Sequence, residues 1–341
     1  MKIALWWCRW VPTLMASSLL ATAGGAVAAS PAESAPTVRP AAERAGVQWL
    51  VRAHEASRRK TYAGTFVVLS ASGATASSRI WHAGDGDQQV ERMDALSGTP
   101  RTTFRHNAQV VTFLPESRIA KTEQRDAAGL FPHLMRVGAA SVAQFYAVRH
   151  AGTERVAGFD TDVLQLQPKD TLRYGYRLWA EKKSGFAVQL QTLDGDGRIL
   201  EQAAFSDLDL DAPVRADRLL QMMADTNGYR IEKAERTAAS AAEEGWALKA
   251  PVAGFQPMDC FRRVPASSTP GSMQWIFSDG LATVSLFIEP YGTRPRQEWQ
   301  NAMGVTQMLG RRVGADWWLV AIGEVPAQTL KAFAAALERR R

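Results

Sequence analysis

The sequence predicts an α+β fold in two domains, each built around an antiparallel β-sheet with a few helices. From residue 62 to residue 211, short runs with a period of two alternate with Gly, Asp, Pro or Asn, which is typical of antiparallel strands joined by tight turns. Helical periodicity is confined to short segments. A weakly patterned, Ala/Glu-rich stretch over 234–244 is predicted to be a linker to a smaller domain over 245–341.

The first 28 residues have the layout of a secretory signal peptide. Lys2 and Arg9 precede an apolar run, and Ala26 and Ala28 supply the small residues that a signal peptidase requires. The apolar run is shorter than the roughly 20 residues needed to span a bilayer, which favours cleavage near Ala28 over retention as an anchor. We therefore expect an exported protein that begins with a disordered, Ala/Pro/Ser-rich leader over 29–40.

The first folded domain is predicted over 41–233. An amphipathic helix should begin at Ala41, because apolar residues recur there at helical spacing. From Tyr62 the period changes to two, and the strands continue to Asp211 with one helical interruption over 139–148. A sheet this long has to curl or be covered by helices on one face.

The second domain combines strands with a closing helix. A hairpin is predicted around residues 278–280, where a tight Ser-Asp-Gly turn joins two alternating apolar arms. Pro326 suits the first turn of the last helix, whose apolar stripe includes Leu330 and Phe333.

The motifs indicate a binding protein rather than an enzyme. The five histidines lack the spacing of a zinc site, and there is no nucleophile elbow, P-loop or dinucleotide-binding glycine motif. The net charge of +6 is a mild basic excess, and no basic run is interleaved with aromatic residues as in a nucleic-acid groove. We expect no catalytic residue, metal, cofactor or nucleic-acid partner. An envelope hydrolase is a disfavoured hypothesis, because the sequence offers no nucleophile–base pair for it.

Cysteine usage excludes an internal disulfide in the mature protein. Cys8 lies in the predicted signal peptide, so Cys260 would be the single remaining cysteine. Cys260 is either a reactive thiol or a small buried apolar residue, and the second interpretation is favoured.

Several segments, in this order, resemble the MucB/RseB family of periplasmic sigma-E regulators. They are YAGTFVV at 62–68 and ERMDALSG at 91–98, then FSDGLATVSLFIE at 277–289 and GEVP at 323–326. The resemblance covers nearly all of the mature chain. It implies that the first domain is similar to the lipoprotein carriers LolA and LolB, an unclosed antiparallel β half-barrel with covering helices and an apolar cavity. It also implies a smaller, α/β-sandwich-like C-terminal domain with an antiparallel sheet.

The same resemblance implies a regulatory function in the periplasm. The protein would bind the periplasmic domain of a transmembrane anti-sigma factor, protect it from proteolysis and so restrain the sigma-E envelope-stress response. Lipid or lipopolysaccharide in the apolar cavity would release the complex. The alternative is a periplasmic lipid or lipoprotein carrier without a regulatory partner. A homo-oligomer is compatible with either function.

Two sets of candidate binding residues follow from this reading. Alternate apolar residues of the half-barrel, and an apolar segment after Gly129, are expected to line the lipid cavity. They are Phe66, Val68, Ile80, Val111, Phe113, Phe131, Leu134 and Met135. Each of them could instead be packed core. Residues of the hairpin and its neighbours are expected to contact the partner protein, and they are Phe277, Phe287, Tyr291, Arg294, Arg296 and Trp299. The alternative is that Trp299 is core and the arginines are only solvated.

Overall fold

The computed structural model describes residues 38–340, except residue 86 and the segments 125–138, 234–235, 264–271 and 294. The predicted signal peptide, its cleavage site and residues 29–37 of the predicted leader lie outside the described residues. From Val38 onward the chain forms one compact unit. Among the described residues, no helix has the length and apolar content required to cross a bilayer.

The first domain contains twelve described strands and three helices. The strands are β1 Tyr62–Ser70, β2 Thr75–Gly84, β3 Gln89–Ala95, β4 Thr102–His106, β5 Gln109–Leu114, β6 Ile119–Gln124, β7 Tyr146–Val156, β8 Phe159–Pro168, β9 Gly175–Glu181, β10 Ala187–Leu193, β11 Ile199–Asp209 and β12 Arg230–Lys233. The helices are α1 Val38–Arg59, α2 Ala139–Phe145 and α3 Ala216–Ala224.

These twelve strands form one unclosed sheet. Their order is β12-β6-β5-β4-β3-β2-β1-β11-β10-β9-β8-β7, so β12 and β7 are the two edges. Every neighbouring pair is antiparallel except β12 and β6, which run parallel. Consecutive strands are mostly neighbours because short turns join them, as the regularly spaced Gly and Asp residues predicted.

Helices cover the sheet in two places. Helix α1 packs against β2, β7 and β10 and inserts Leu50 and Ala53 into a core that contains Phe66, Ile80 and Phe205. Helix α3 packs against β2, β3 and β4 and closes a second, smaller cluster: Phe104, Val111, Phe113, Ala120 and Met223. Each helix therefore removes a separate apolar patch of the sheet from water.

The second domain is a seven-stranded antiparallel sheet with one helix on its face. Its elements are β13 Arg236–Ala238, β14 Trp246–Leu248, β15 Gln256–Arg263, β16 Ser272–Ser278, β17 Thr283–Pro290, β18 Trp299–Met303, β19 Thr306–Val313, β20 Trp317–Gly323, α4 Ala327–Ala336 and β21 Leu337–Arg339. The strands of the sheet run in the order β13-β15-β16-β17-β20-β19-β18, and β14 and β21 form a separate two-stranded sheet. Helix α4 places Leu330 and Phe333 against Leu286 and Leu319 of the sheet.

The predicted fold class is confirmed, whereas two predicted boundaries shift. Helix α1 begins at Val38, inside the stretch predicted as a disordered leader. Strand β13 occupies part of the predicted linker, because residues 236–238 pair with 261–263 of β15 and extend the second sheet by one strand. Three residues are too few to show a period in the sequence.

The end of β2 lies unusually close to the end of α1. A Cβ atom built on Gly84 would be 2.2 Å from the carbonyl oxygen of Arg58 and 2.9 Å from Cε1 of His82. Only a glycine lets the strand pass under the last turn of the helix without moving one of them.

Gly84→Ala is expected to destabilise the protein by about 1–3 kcal/mol, because the added methyl group has to displace backbone rather than a flexible side chain. Urea unfolding followed by circular dichroism measures this loss. The matched control is Gly195→Ala, since a Cβ at Gly195 meets nothing within 4 Å. Equal stability of the two variants would show that α1 does not rest on β2 as described.

Candidate functional site

Asp279, in the turn between β16 and β17, is a buried carboxylate that faces the first domain. It is 2% exposed. Its Oδ1 accepts hydrogen bonds from the backbone N–H groups of Leu281, at 2.9 Å, and Ala282, at 2.7 Å. Its Oδ2 accepts a hydrogen bond from the Tyr146 hydroxyl, at 3.1 Å, and lies 3.1 Å from Nε of Arg173. One oxygen therefore shapes the turn, while the other binds the first domain.

Arg173 lies between β8 and β9, and its side chain is fully buried. Besides Asp279, it contacts Asp170 of its own loop at 3.2 Å and donates a hydrogen bond to the carbonyl of Ala253 at 2.8 Å. Its guanidinium also lies 4.5 Å from the ring centre of Phe145 and 5.3 Å from that of Phe255. Each domain therefore supplies one carboxylate and at least one aromatic face to this arginine.

The environment of the Arg173–Asp279 pair is strongly desolvated. Burial raises the pKa of Asp279, against the lowering effect of the two backbone N–H groups and of Arg173. Burial also raises the pKa of Tyr146 well above its usual range, so its hydroxyl stays a hydrogen-bond donor. A pair of this kind contributes little net stability, but loss of one partner leaves a buried, uncompensated charge.

The loop at 170–174, which carries Arg173, makes further hydrogen bonds with the second domain. The Thr329 hydroxyl of α4 donates a hydrogen bond to the carbonyl of Leu172 at 2.6 Å. The side-chain amide of Gln328 donates to the carbonyl of Thr171, and that of Gln307 donates to the hydroxyl of Tyr174 at 3.4 Å. Contacts from the 278–280 turn, α4 and β19 thus converge on one short loop.

Phe277, a predicted partner-binding residue, is core in this structure. It is 2% exposed, and its ring lies 4.8 Å from that of Phe333 in α4. The prediction is corrected because the arm of the hairpin turns Phe277 toward the helix rather than toward solvent. Phe287 points to the opposite face of the sheet and is half-buried.

The remaining partner candidates lie at or near the surface. Tyr291 packs against Trp318, with ring centres 5.9 Å apart, and Arg296 lies over Trp318 while its guanidinium pairs with Glu289. Arg312 stacks on Tyr291 at 4.2 Å. We call these five residues the Tyr291 cluster. Trp299 is 41% exposed on the edge strand β18, and Arg294 lies outside the described residues.

The predicted cavity residues fall into two separate packed clusters. Phe66 and Ile80 belong to the core beneath α1, and Val68 packs against it. Val111 and Phe113 belong to the cluster beneath α3. The structure does not bring the two groups together, and Phe131, Leu134 and Met135 lie outside the described residues. Lining of a lipid cavity by these eight residues therefore stays a prediction.

A described cavity of about 460 Å³ lies elsewhere in the first domain. Its apolar wall is formed by Phe159, Leu208 and Leu210, and charged residues such as Lys60 and Lys183 also line it. None of the predicted cavity residues lines it. The periodicity of the strands could not reveal it, because its lining residues sit at strand ends.

His82, Glu91 and Arg105 form a buried polar network that the sequence analysis missed. They lie side by side on β2, β3 and β4, and each is at most 3% exposed. Arg105 donates to both oxygens of Glu91, at 2.9 and 3.0 Å. His82 Nδ1 donates to the carbonyl of Lys60 at 2.6 Å, and its Nε2 lies 3.7 Å from Glu91. The strand register brings these residues together, and their spacing in the sequence does not reveal it.

This network has a structural role. Tyr62 stacks on His82, with ring centres 4.9 Å apart, and His82 Nδ1 bonds the chain just beyond α1. Among the described residues there is no group of three or more His, Cys, Asp or Glu side chains placed to hold a metal ion.

Cys260, on β15, is half-buried and free. Burial raises the pKa of its thiol to about 11. The thiolate that would react is therefore scarce at neutral pH, which agrees with the favoured interpretation of an apolar packing residue.

An unclosed sheet with covering helices, joined through a buried ion pair to a smaller sheet-and-helix domain, defines a two-domain half-barrel protein. A family model described as the MucB/RseB N-terminal domain matches residues 45–223, and one described as the MucB/RseB C-terminal domain matches residues 240–338. The chain belongs to the MucB/RseB family.

Similar proteins span nearly the whole fold. The sigma factor AlgU regulatory protein MucB of Pseudomonas aeruginosa is 29% identical over 294 residues, which are 85% of this chain and 89% of the relative. The sigma-E factor regulatory protein RseB of Escherichia coli K12 is 21% identical over 280 residues, 82% of this chain and 86% of the relative. A structure of the Pseudomonas aeruginosa MucA/MucB complex matches with a TM-score of 0.69 at 24% identity, covering 87% of this chain and 99% of that chain. At this identity the match establishes the fold alone.

Arg173→Met is expected to destabilise the protein by about 3–5 kcal/mol, because Asp279 stays buried without its counter-charge. Urea unfolding measures the loss. The double variant Arg173→Met, Asp279→Leu should recover most of it, because neither charge then remains buried.

The exposed pair Arg155–Asp160 supplies the control for charge removal. Its two side chains are 71% and 72% exposed, so Arg155→Met should change stability very little. A double variant at 173 and 279 no more stable than Arg173→Met alone would contradict the coupling of the two charges.

Acidification should weaken the fold through His82. Burial lowers the pKa of His82 below its usual 6.5, with Glu91 opposing that shift. The unfolded chain therefore binds this proton first, and the stability that His82 contributes is lost as the pH falls through 6.5 toward the folded-state pKa. Thermal unfolding between pH 7 and pH 5 should show a smaller decrease for His82→Gln than for the unmodified protein. Identical pH profiles would assign the acid sensitivity to other groups.

Proposed function

We propose that this protein is a periplasmic regulator that binds the periplasmic segment of a membrane-spanning anti-sigma factor and thereby restrains an envelope-stress sigma factor. The observation that carries the proposal is the match of both domains, in order, to the MucB/RseB family. Curated relatives are named regulatory proteins of the sigma factors AlgU and sigma-E. Two similar structures are of MucB in complex with MucA, and one of them names MucA(peri).

Among the described residues, the second domain offers a surface suited to such a partner. The Tyr291 cluster presents the half-buried ring of Tyr291 and the guanidinium groups of Arg296 and Arg312 at the surface, above the buried Trp318. Tyrosine and arginine are common anchors of protein interfaces. The Tyr291 hydroxyl bonds both the N–H and the carbonyl of Arg296, at 3.0 and 3.3 Å. This local bonding holds the cluster in one arrangement, which lowers the entropy lost on binding.

We propose a binding function without catalysis, cofactor or resident metal. Binding would shield the anti-sigma segment from a protease by covering its cleavage site. Entry of lipid or lipopolysaccharide into an apolar cavity of the first domain would favour a state that releases the segment. The signal-like N-terminus supports export to the periplasm.

The purified protein should bind a synthetic periplasmic segment of the anti-sigma factor in isothermal titration calorimetry. Tyr291→Ala and Arg296→Ala should each weaken binding about tenfold, because each removes one anchor of the cluster. The control is Arg155→Ala, which removes an exposed arginine of the first domain and should leave the affinity unchanged. An equal loss of affinity in all three variants would show that the partner site does not lie at the cluster.

Limited proteolysis tests protection and release. The bound segment should be cleaved more slowly than the free segment, and added lipopolysaccharide should restore the faster rate. If the protein neither binds nor protects any anti-sigma segment but transfers lipoprotein between vesicles, it is a lipoprotein carrier and not a regulator.

A further inference from the structure

The second domain also contacts the first domain through the hairpin tip, the turn Gly304-Val305 between β18 and β19. A Cβ built on Gly304 would lie 2.7 Å from a carboxylate oxygen of Glu201 on β11 and 3.9 Å from the hydroxyl of Ser70 on β1. Val305 is 3% exposed, and its backbone N–H donates a hydrogen bond to the Glu201 carboxylate. The hairpin tip is therefore held against the first sheet by a carboxylate.

Glu201 belongs to a row of residues on one face of the first sheet. It is directly opposed to Thr192 of β10, and Thr192 is directly opposed to Tyr176 of β9. Opposed residues of antiparallel strands point to the same side of the sheet. The charges of Asp279 and Glu324, both from the second domain, act on Tyr176. Carboxylates from the second domain therefore border this row.

Glu201 has a second carboxylate as its charged neighbour. Burial is the largest cause that raises the pKa of Glu201, the charge of Glu324 raises it further, and the N–H of Val305 opposes both effects. Desolvation also raises the pKa of Glu324, which lies between β20 and α4. Among the described residues neither glutamate forms an ion pair, whereas Asp279 has Arg173. Two like charges thus lie near each other across the domain contact without a counter-ion.

The other titratable groups around this row supply no free positive charge. Burial raises the pKa of three tyrosines, which stay neutral near pH 7: Tyr146, Tyr174 and Tyr176. Asp194, whose charge acts on Tyr174, adds a further negative group. Arg173 is already paired with Asp170 and Asp279. A proton on one of the two glutamates is therefore the simplest way to relieve their repulsion.

We propose that a proton taken up by Glu201 strengthens the docking of the second domain on the first. Protonation removes the repulsion between Glu201 and Glu324, and the neutral carboxyl group keeps an oxygen that accepts the Val305 N–H. Glu201 is in this way a pH-sensitive positioning residue of the domain contact. Acid tightens the contact at the hairpin tip, and neutral pH loosens it.

The direction of the effect follows from proton linkage. In the docked state the pKa of Glu201 lies above its usual 4.5, to which it returns when the hairpin tip leaves β11 and the carboxylate is solvated. The docked state therefore binds the proton first as the pH falls. Docking strengthens as the pH falls through the raised pKa, and the gain is complete below 4.5. The raised pKa of Asp279 acts in the same direction, whereas protonation of His82 weakens the fold.

Amide hydrogen exchange of the whole protein, followed by mass spectrometry, tests the proposal at the hairpin tip. Glu201→Gln imitates the protonated carboxyl group, so at pH 7 the segment 303–306 should exchange about threefold more slowly in this variant than in the unmodified protein. At pH 4 the two proteins should exchange this segment at the same rate. Comparing both proteins at each pH cancels the intrinsic pH dependence of exchange.

Two further variants show whether the repulsion is the cause. Glu324→Gln removes the same repulsion, so it should also slow exchange of the hairpin tip at pH 7. The double variant Glu201→Gln, Glu324→Gln should gain little beyond either single variant, because one substitution already removes the repulsion. The matched control is Glu116→Gln, which changes an exposed carboxylate in the turn between β5 and β6 and should leave the exchange unchanged.

Three outcomes would overturn the proposal. Faster exchange of the hairpin tip in Glu201→Gln at pH 7 would show that the ionised carboxylate stabilises docking. An equal difference between the two proteins at pH 7 and pH 4 would show that protonation is not involved. Fully additive effects of the two substitutions would show that the glutamates do not repel each other. None of these results bears on whether the protein binds an anti-sigma segment, so the two proposals fail separately.

Discussion

A fully buried arginine is tolerated only where carboxylates, carbonyls or aromatic faces replace the water it has lost. Arg173 obtains these groups from both domains: Asp170 and Phe145 from its own, and Asp279, Ala253 and Phe255 from the other. The site is complete only when the turn at 278–280 is docked on the first domain. The position of the second sheet depends on this buried contact together with the hydrogen bonds that Gln307, Gln328 and Thr329 make with the loop at 170–174.

The period-two pattern allowed the fold class and the strand-rich character of both domains to be predicted, because alternation along a strand is a local property. The same pattern identified Ser278-Asp279-Gly280 as a turn. It could not show that Asp279 meets Arg173, since that contact joins residues far apart in the chain and depends on how two sheets dock. The linker was predicted too long because β13, with three residues, takes its strand conformation from β15 rather than from its own sequence.

The candidate sites were harder to predict than the fold, for a physical reason. Alternation assigns residues to one face of a strand but does not say which face a helix will cover. The sequence therefore predicted Phe277 as a partner-binding residue, whereas in the structure α4 packs against it. Likewise, inward-facing residues such as Phe66 and Val111 line either a cavity or a filled core, and that difference depends on the covering helices. The His82 network shows the opposite case, in which strand register gathers polar residues that no spacing rule connects.

The half-buried thiol of Cys260 also determines how the folded chain responds to its redox surroundings. With a pKa of about 11, it is almost entirely protonated at neutral pH and is a poor participant in thiol–disulfide exchange. In an oxidising compartment, the folded protein would not form mixed disulfides readily with small thiols or neighbouring proteins. The second domain therefore keeps its packing at Cys260 whatever the thiol–disulfide balance around it.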